Sequence, residues 1–365
     1  MALQCGIVGL PNVGKSTLFN ALSNTKAQAA NFPFCTIEPN IGVITVPDER
    51  LTKLAELVIP EKIQPTTVEI VDIAGLVKGA AQGEGLGNQF LGNIRSVDAI
   101  LHVVRCFDND NVIHVDGSVN PVRDKEIIDF ELQLKDLESI DKKIQKIEKQ
   151  AKAGIKEMID CLEILVRFKK HIESGKSARS CALGDEEKKH IDDLQLLTIK
   201  PVMYVCNVEE ENILKGNAHT KSLSESVKDE NAEIIFISAA IEADIAELES
   251  YEDKQAFLND LGLSEPGANR LIKSAYSLLN LATYFTAGVK EVRAWTIKKG
   301  FTAPQAAGVI HTDFEKGFIR AEVIKYNDYI TLKSEAACRD AGKLGVQGKE
   351  YIVEDGDIMH FRFNV

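Results

Sequence analysis

The chain has 365 residues, enough for two or three domains, and its 44 % hydrophobic and 27 % charged residues exclude a mostly disordered polymer. The 43 Lys and Arg against 55 Asp and Glu leave a formal charge of −12, which excludes nucleic-acid binding through bulk charge; any such contact needs a local basic patch. Seven cysteines without a C-x-x-C pair argue against a disulfide framework or zinc ribbon, and no apolar run approaches the ~20 residues of a membrane helix, so a reducing cytoplasm is the expected compartment. The opening MALQCGIVGL leads straight into a glycine loop and does not read as a signal peptide.

In chain order, Leu3 to Val8 reads as a buried strand ending at Gly9. Lys15 to Leu22 reads as a helix with Leu18, Phe19 and Leu22 on one face. Further strands are expected at Ile41–Val46, Thr67–Val71, Ala99–Val104, Pro201–Cys206 and Ile234–Ile237. Their continuous apolar character suits parallel strands covered on both faces, hence a doubly wound, mostly parallel α/β sheet. Between about Lys125 and Ile199 the pattern changes. Phe130, Leu134, Leu137, Ile140, Ile144 and Ile147 recur at steps of three and four, and Met158, Leu162, Leu165 and Phe168 resume that spacing after Gly154. This predicts a helical hairpin with coiled-coil character, serving either as a solvated spacer or as a partner-binding arm.

Pro266–Thr283 reads as another helix. From Leu281 onward short strands alternate with turns, at Val292–Ile297, Phe318–Val323, Tyr351–Val353 and Met359–Phe363, with Glu354-Asp355-Gly356-Asp357 joining the last two. Residues 281–365 carry a net +1 and the rest of the chain −13, so this module is the favoured place for any RNA contact.

Gly9-Leu-Pro-Asn-Val-Gly14-Lys15-Ser16 fits the phosphate-loop pattern G-x-x-x-x-G-K-[ST], and it lies between a strand and a helix as that pattern requires. Its glycines let successive N–H groups point at phosphate oxygens, and the helix start adds its positive end. Asn12, Val13, Gly14, Lys15, Ser16 and Thr17 are the candidate phosphate-binding residues. Lys15 is expected on the β- and γ-phosphates and the Ser16 hydroxyl on Mg2+. Asp72, ending a strand in Val71-Asp72-Ile73-Ala74-Gly75, can hold Mg2+ through water, and the Gly75 amide can meet the γ-phosphate. Thr36, between the first helix and second strand, can complete the metal shell only with the γ-phosphate present. Ser238-Ala239-Ala240 follows the last core strand, where backbone amides could meet the base.

GLPNVGKS, NFPFCTIEPN, DIAGLVKGAAQGEGLGN, the helical insertion and the tail KEVRAWTI…APQAAGVIHTDFEKGFIRAEVI…EDGDIMHFRFNV together resemble the YchF / Obg-like ATPase family over nearly the whole chain. The resemblance implies an OBG-type G domain over 1–280, with a nucleotide-binding core at 1–124 and 198–280 and a coiled-coil insertion at 125–197. A β-grasp TGS domain would follow at 281–365. It further implies a ribosome-associated switch that hydrolyses ATP and acts on the large subunit. A conventional GTPase of ribosome assembly, and a nucleotide-gated binding module with negligible catalysis, are the alternatives.

Ordinary GTPases read guanine with N-K-x-D after the fifth strand. Here that strand runs into Asn207-Val208-Glu209-Glu210, so the Lys position is Val208 and the Asp position is Glu210. The extra methylene displaces the carboxylate and weakens guanine selection; the preference for ATP comes from the resemblance. The residue after D-x-x-G, often a water-orienting Gln, is Leu76, so turnover needs another group or a partner. His114, in the polar loop Phe107–His114 after the fourth strand, is the candidate, against a plain loop histidine. His102, inside an apolar run, reads as a core residue. By analogy with related GTPases carrying P-N-x-G-K-S, Asn12 is a candidate to help hold K+ beside the phosphates; the alternative is a turn-forming Asn after Pro11. The glycine-rich run Gly79–Gly92 would rearrange on loss of the γ-phosphate.

Overall fold

The computed structural model describes residues 3–24, 41–73, 86–115, 117–230 and 232–364. Among these residues, twelve strands follow in chain order: β1 (Gln4–Val8), β2 (Ile41–Thr45), β3 (Lys62–Gln64), β4 (Thr67–Asp72), β5 (Ala99–Arg105), β6 (Val202–Asn207), β7 (Glu233–Ile237), β8 (Leu281–Ala287), β9 (Glu291–Lys298), β10 (Phe318–Ile324), β11 (Gly345–Gln347) and β12 (Ile358–Phe363). The first five helices are α1 (Lys15–Asn24), α2 (Glu49–Val58), α3 (Leu86–Ser96), α4 (Pro121–Lys152) and α5 (Lys156–Glu173). The described residues form two compact units. One takes 3–24, 41–42 and 69–268; the other takes 43–68 and 269–364.

The first sheet has the order β2-β4-β1-β5-β6-β7. β1 pairs in parallel with β4 and β5, β5 with β6, and β6 with β7. β5 and β6 are buried at every residue, which is why their sequences are apolar throughout rather than alternating. Strand order reverses beside β1, so the phosphate loop lies at the switch point where α/β sheets bind ligands.

α4 and α5 form the predicted hairpin, turning at Ala153–Ile155 with Gly154 at φ 85°. Ile140, Ile147, Cys161, Ile164, Leu165 and Phe168 make its core, with Leu137, Ile144, Met158 and Leu162 packed against them. Two details depart from the periodicity. α4 starts at Pro121, capped by the Asn120 side chain, which accepts from Arg123 N. Phe130, expected in the stripe, is 58 % exposed, because Ile128 and Leu132 take the inward positions there. At this end α4 lies against the sheet unit instead of α5, so the buried face rotates. Asp136 marks that junction: it is fully buried and accepts from Leu197 N (2.6 Å), Thr198 N (2.8 Å) and Thr198 Oγ1 (2.7 Å).

The second sheet has the order β11-β10-β12-β8-β9-β3. The parallel β12–β8 and β3–β9 pairs flank antiparallel β8–β9, and antiparallel β10–β12 and β10–β11 complete it. One side packs on helix Ala303–Ile310 through Ala303, Ala306 and Ala307; another cluster joins Leu51 and Leu54 of α2 to Phe285, Val292, Ile324 and Ile358. The helix expected over Pro266–Thr283 ends at Leu278. Asn280 at φ 55° reverses the chain, and β8 begins at Leu281. Tyr351–Val353 is not a strand; only an isolated bridge joins Ile352 to Thr302. The Glu354–Asp357 turn is present, with Asp357 N donating to Glu354 O and Gly356 at φ 92°.

Candidate functional site

The segment from Gly9 to Gly14 folds as a cradle because three residues adopt φ values between +20° and +160°: Gly9 (159°), Asn12 (62°) and Gly14 (99°). A Cβ on Gly14 would lie 2.4 Å from Asn207 Nδ2, so this glycine is required by space as well as by conformation. Val13 is buried, whereas Asn12, Ser16 and Thr17 are exposed. Lys15 is only 7 % exposed and its ammonium donates to Leu10 O at 2.7 Å. Burial pushes its pKa down from 10.5 to about 8, and the Asp72 carboxylate pulls partly the other way.

Ser16 Oγ donates to Asp72 Oδ2 at 3.3 Å, joining the first turn of α1 to the C-terminal end of β4. Asp72 Oδ1 is buried without a hydrogen-bond partner among the described residues. An orphaned carboxylate oxygen beside a hydroxyl is a hard-oxygen donor set, and it fits Mg2+, the cation typical of P-loop NTPases. Thr36, Gly75, Leu76 and positions 79–85 of the glycine-rich run lie outside the described residues.

Asn207, 5 % exposed at the end of β6, joins three segments. Its Nδ2 donates to Val13 O (2.9 Å), and its Oδ1 accepts from Ala239 N (3.0 Å). The Ala239 amide is therefore already committed to Asn207. Ser238 is buried and precedes the helix Ala239–Glu247, and Ala240 is exposed at its start. Val208 is 2 % exposed and its N–H donates to Ile237 O, so its side chain is taken up by the core. Glu210 is exposed and opens a short helical turn over Glu210–Asn212.

The loop after β5 is organised by a residue the sequence reading did not single out. Arg105 is 2 % exposed and donates to Phe107 O (3.1 Å), Asn109 O (3.0 Å) and Val112 O (2.9 Å), with its guanidinium over the Phe107 ring. This brings Ile113 O within 3.2 Å of Asn12 Nδ2, so the loop touches the phosphate cradle. His114 is neither a surface histidine nor open to solvent: its side chain is 5 % exposed and Nε2 lies 2.8 Å from Asp124 Oδ2. Arg123 holds the other oxygen of Asp124 through Nε (3.1 Å) and Nη2 (2.8 Å). Two signals for these partners were present: an Arg closing an apolar strand, and Asn120-Pro121 announcing a helix whose first turn holds Asp124. His102 is a core residue on β5, its pKa pushed down to about 3 chiefly by burial.

A protein-family profile described as a 50S ribosome-binding GTPase matches residues 4–237, and one described as YchF-GTPase_C, a protein of unknown function, matches 281–364. Proteins named ribosome-binding ATPase YchF from Haemophilus ducreyi and Escherichia coli O157:H7 are each 56 % identical over 365 residues; that from Bacillus subtilis is 54 % identical over 367. Every one of these matches covers 100 % of both chains. The solved structure of the Schizosaccharomyces pombe YchF GTPase superposes with a TM-score of 0.88 at 39 % identity, covering 99 % of this chain and 97 % of that one. With the phosphate cradle, the Ser16–Asp72 pair and the Asn207 bridge in place, the full-length likeness assigns this chain to the YchF family of P-loop NTPases.

Proposed function

We propose that the protein is a ribosome-associated hydrolase of purine nucleoside triphosphates, with ATP as its preferred substrate and Mg2+ as its cofactor. The preference for ATP rests on the family resemblance, and the weakened selection of guanine on one observation. The position that supplies a base-stacking Lys in ordinary GTPases is a buried Val208, and the carboxylate that would read guanine belongs to an exposed Glu210. The names of the close bacterial relatives support both ATP and the ribosome. A second reading, a conventional GTPase of ribosome assembly acting on the large subunit, is favoured by the family description and by the name of the solved relative.

In this reading Lys15 would turn from Leu10 O to the β- and γ-phosphates, and Ser16, Thr36 and Asp72, the last through water, would hold Mg2+. The Gly75 amide meets the γ-phosphate, and His114 orients water in place of the Gln that Leu76 replaces. Asn12 serves the loop as a turn residue; its amide nitrogen is used on Ile113 O, which leaves its Oδ1 as the atom for K+. The α4–α5 insertion is read as a coiled-coil arm, and 281–365 as a TGS domain offering an RNA or protein contact. Competitive titration of ATP and GTP with Mg2+ tests the base assignment: a GTP affinity tenfold tighter, about 1.4 kcal/mol, overturns it. Phosphate release with and without large ribosomal subunits tests the partner, and no acceleration on any subunit refutes it.

A further inference from the structure

Three of the ties on the His114 loop bear on its chemistry. Arg105 fixes its first half through three carbonyls, Asn12 holds Ile113 O beside the phosphate cradle, and Asp124 holds the imidazole. The third tie is the informative one. Nε2 is the outer nitrogen of the ring, the one a histidine extends toward a substrate or a water. Here it is bonded to Asp124 Oδ2 at 2.8 Å within a side-chain pair only 5 % and 3 % exposed. Asp124 is itself clamped by Arg123, whose Nη2 also donates to Ser118 O at 2.6 Å. Histidines that act on substrate while oriented by a carboxylate usually present the other nitrogen to that carboxylate and keep Nε2 for the reaction. The arrangement here is the reverse.

We propose that Asp124 is a positioning residue that holds His114 off the γ-phosphate and releases it when α4 moves. The inference rests on the reading of His114 as the water-orienting group. Asp124 lies in the first turn of α4, a helix of 32 residues and hence about 48 Å long, whose far end is the exposed turn at Gly154. A partner on this arm that also shifts its base, where Asp136 meets Leu197 and Thr198 and Lys125 pairs with Glu230, displaces Asp124 relative to a loop anchored on β5 by Arg105 and on the cradle by Asn12. Such a displacement strains the Nε2–Oδ2 bond. Loss of that bond removes one restraint on the imidazole beside the phosphate site, which couples docking on the arm to acceleration of hydrolysis.

The test is steady-state phosphate release by the full-length chain with Mg·ATP and no ribosomes, for wild type, Asp124→Asn, Asp124→Ala, His114→Ala and the double variant His114→Ala/Asp124→Ala. Melting curves and ATP affinity serve as controls. Asp124→Ala is expected to raise kcat at least fivefold with KM within twofold of wild type, with Asp124→Asn in between and the double variant at the His114→Ala level. A folded Asp124→Ala protein with normal ATP affinity and a kcat at or below wild type overturns the proposal. So does a gain that persists without His114. If Asp124→Ala does not fold, Asp124→Asn decides in the same way, since it keeps the side-chain volume: a raised kcat supports the proposal and an unraised one refutes it. Wild-type turnover by His114→Ala instead removes the reading of His114 itself.

Discussion

Lys15→Met isolates what the phosphate cradle costs the empty protein. In the folded chain the ammonium is 7 % exposed and its pKa has fallen from 10.5 to about 8. That fall corresponds to about 3 kcal/mol favouring the unfolded state wherever the lysine is charged in both states. Methionine preserves the volume and removes the charge, at the loss of one hydrogen bond to Leu10 O, about 1 kcal/mol. The variant is therefore expected to be more stable than wild type by about 1–2 kcal/mol at pH 7, while losing nucleotide binding. The pH dependence has a definite sign. Between about 8 and 10.5 the unfolded chain binds more protons at this site than the folded one, so wild-type stability rises with pH and the advantage of Met shrinks across that window. Denaturant titration of the nucleotide-free proteins at pH 7 and pH 10 measures both quantities. A Met variant less stable than wild type at pH 7, or an advantage that does not change with pH, refutes the reasoning. Nucleotide affinity follows the same group: above about pH 8 binding must recover the proton, so wild-type affinity is expected to weaken as pH rises.

Gly14→Ala puts a Cβ 2.4 Å from Asn207 Nδ2 at a φ of 99° and is expected to cost about 2 kcal/mol or more of stability together with nucleotide binding; an unchanged urea midpoint would show that the cradle does not need this shape. Asp72→Asn removes the carboxylate charge from the hard-oxygen set, so the tightening of nucleotide affinity by Mg2+ should fall at least tenfold in titrations with and without the ion; wild-type Mg2+ dependence would exclude Asp72 from the metal shell. Glu210→Asp, at an exposed position, restores the shorter carboxylate that reads guanine and should move the GTP-to-ATP affinity ratio at least tenfold toward GTP; an unmoved ratio would place base selection elsewhere.

Local chemistry made much of this protein legible in one dimension. The phosphate loop is a short-range object: its glycine positions, its lysine and the helix that follows need only neighbours in sequence. The apolar strands and the hairpin were readable because burial on two faces and helical packing leave characteristic periods. Where burial depended on a distant surface the period misled, as at Phe130, which lies on the right helical spacing and on the outside of the helix. Likewise β3, three residues with two exposed, owes its existence to pairing with β9 more than two hundred residues later.

The candidate site divides along the same line. Residue types and spacing determined that a triphosphate could be gripped at Gly9–Ser16 and that the usual guanine reader is altered at Val208 and Glu210. Only tertiary structure decided that Asn207 binds the loop 194 positions before it, that Arg105 pins the loop beside the cradle, and that His114 is buried against Asp124. A hydrogen bond depends on directions and separations set by the packing of whole elements, and no pattern of neighbouring residues carries that information.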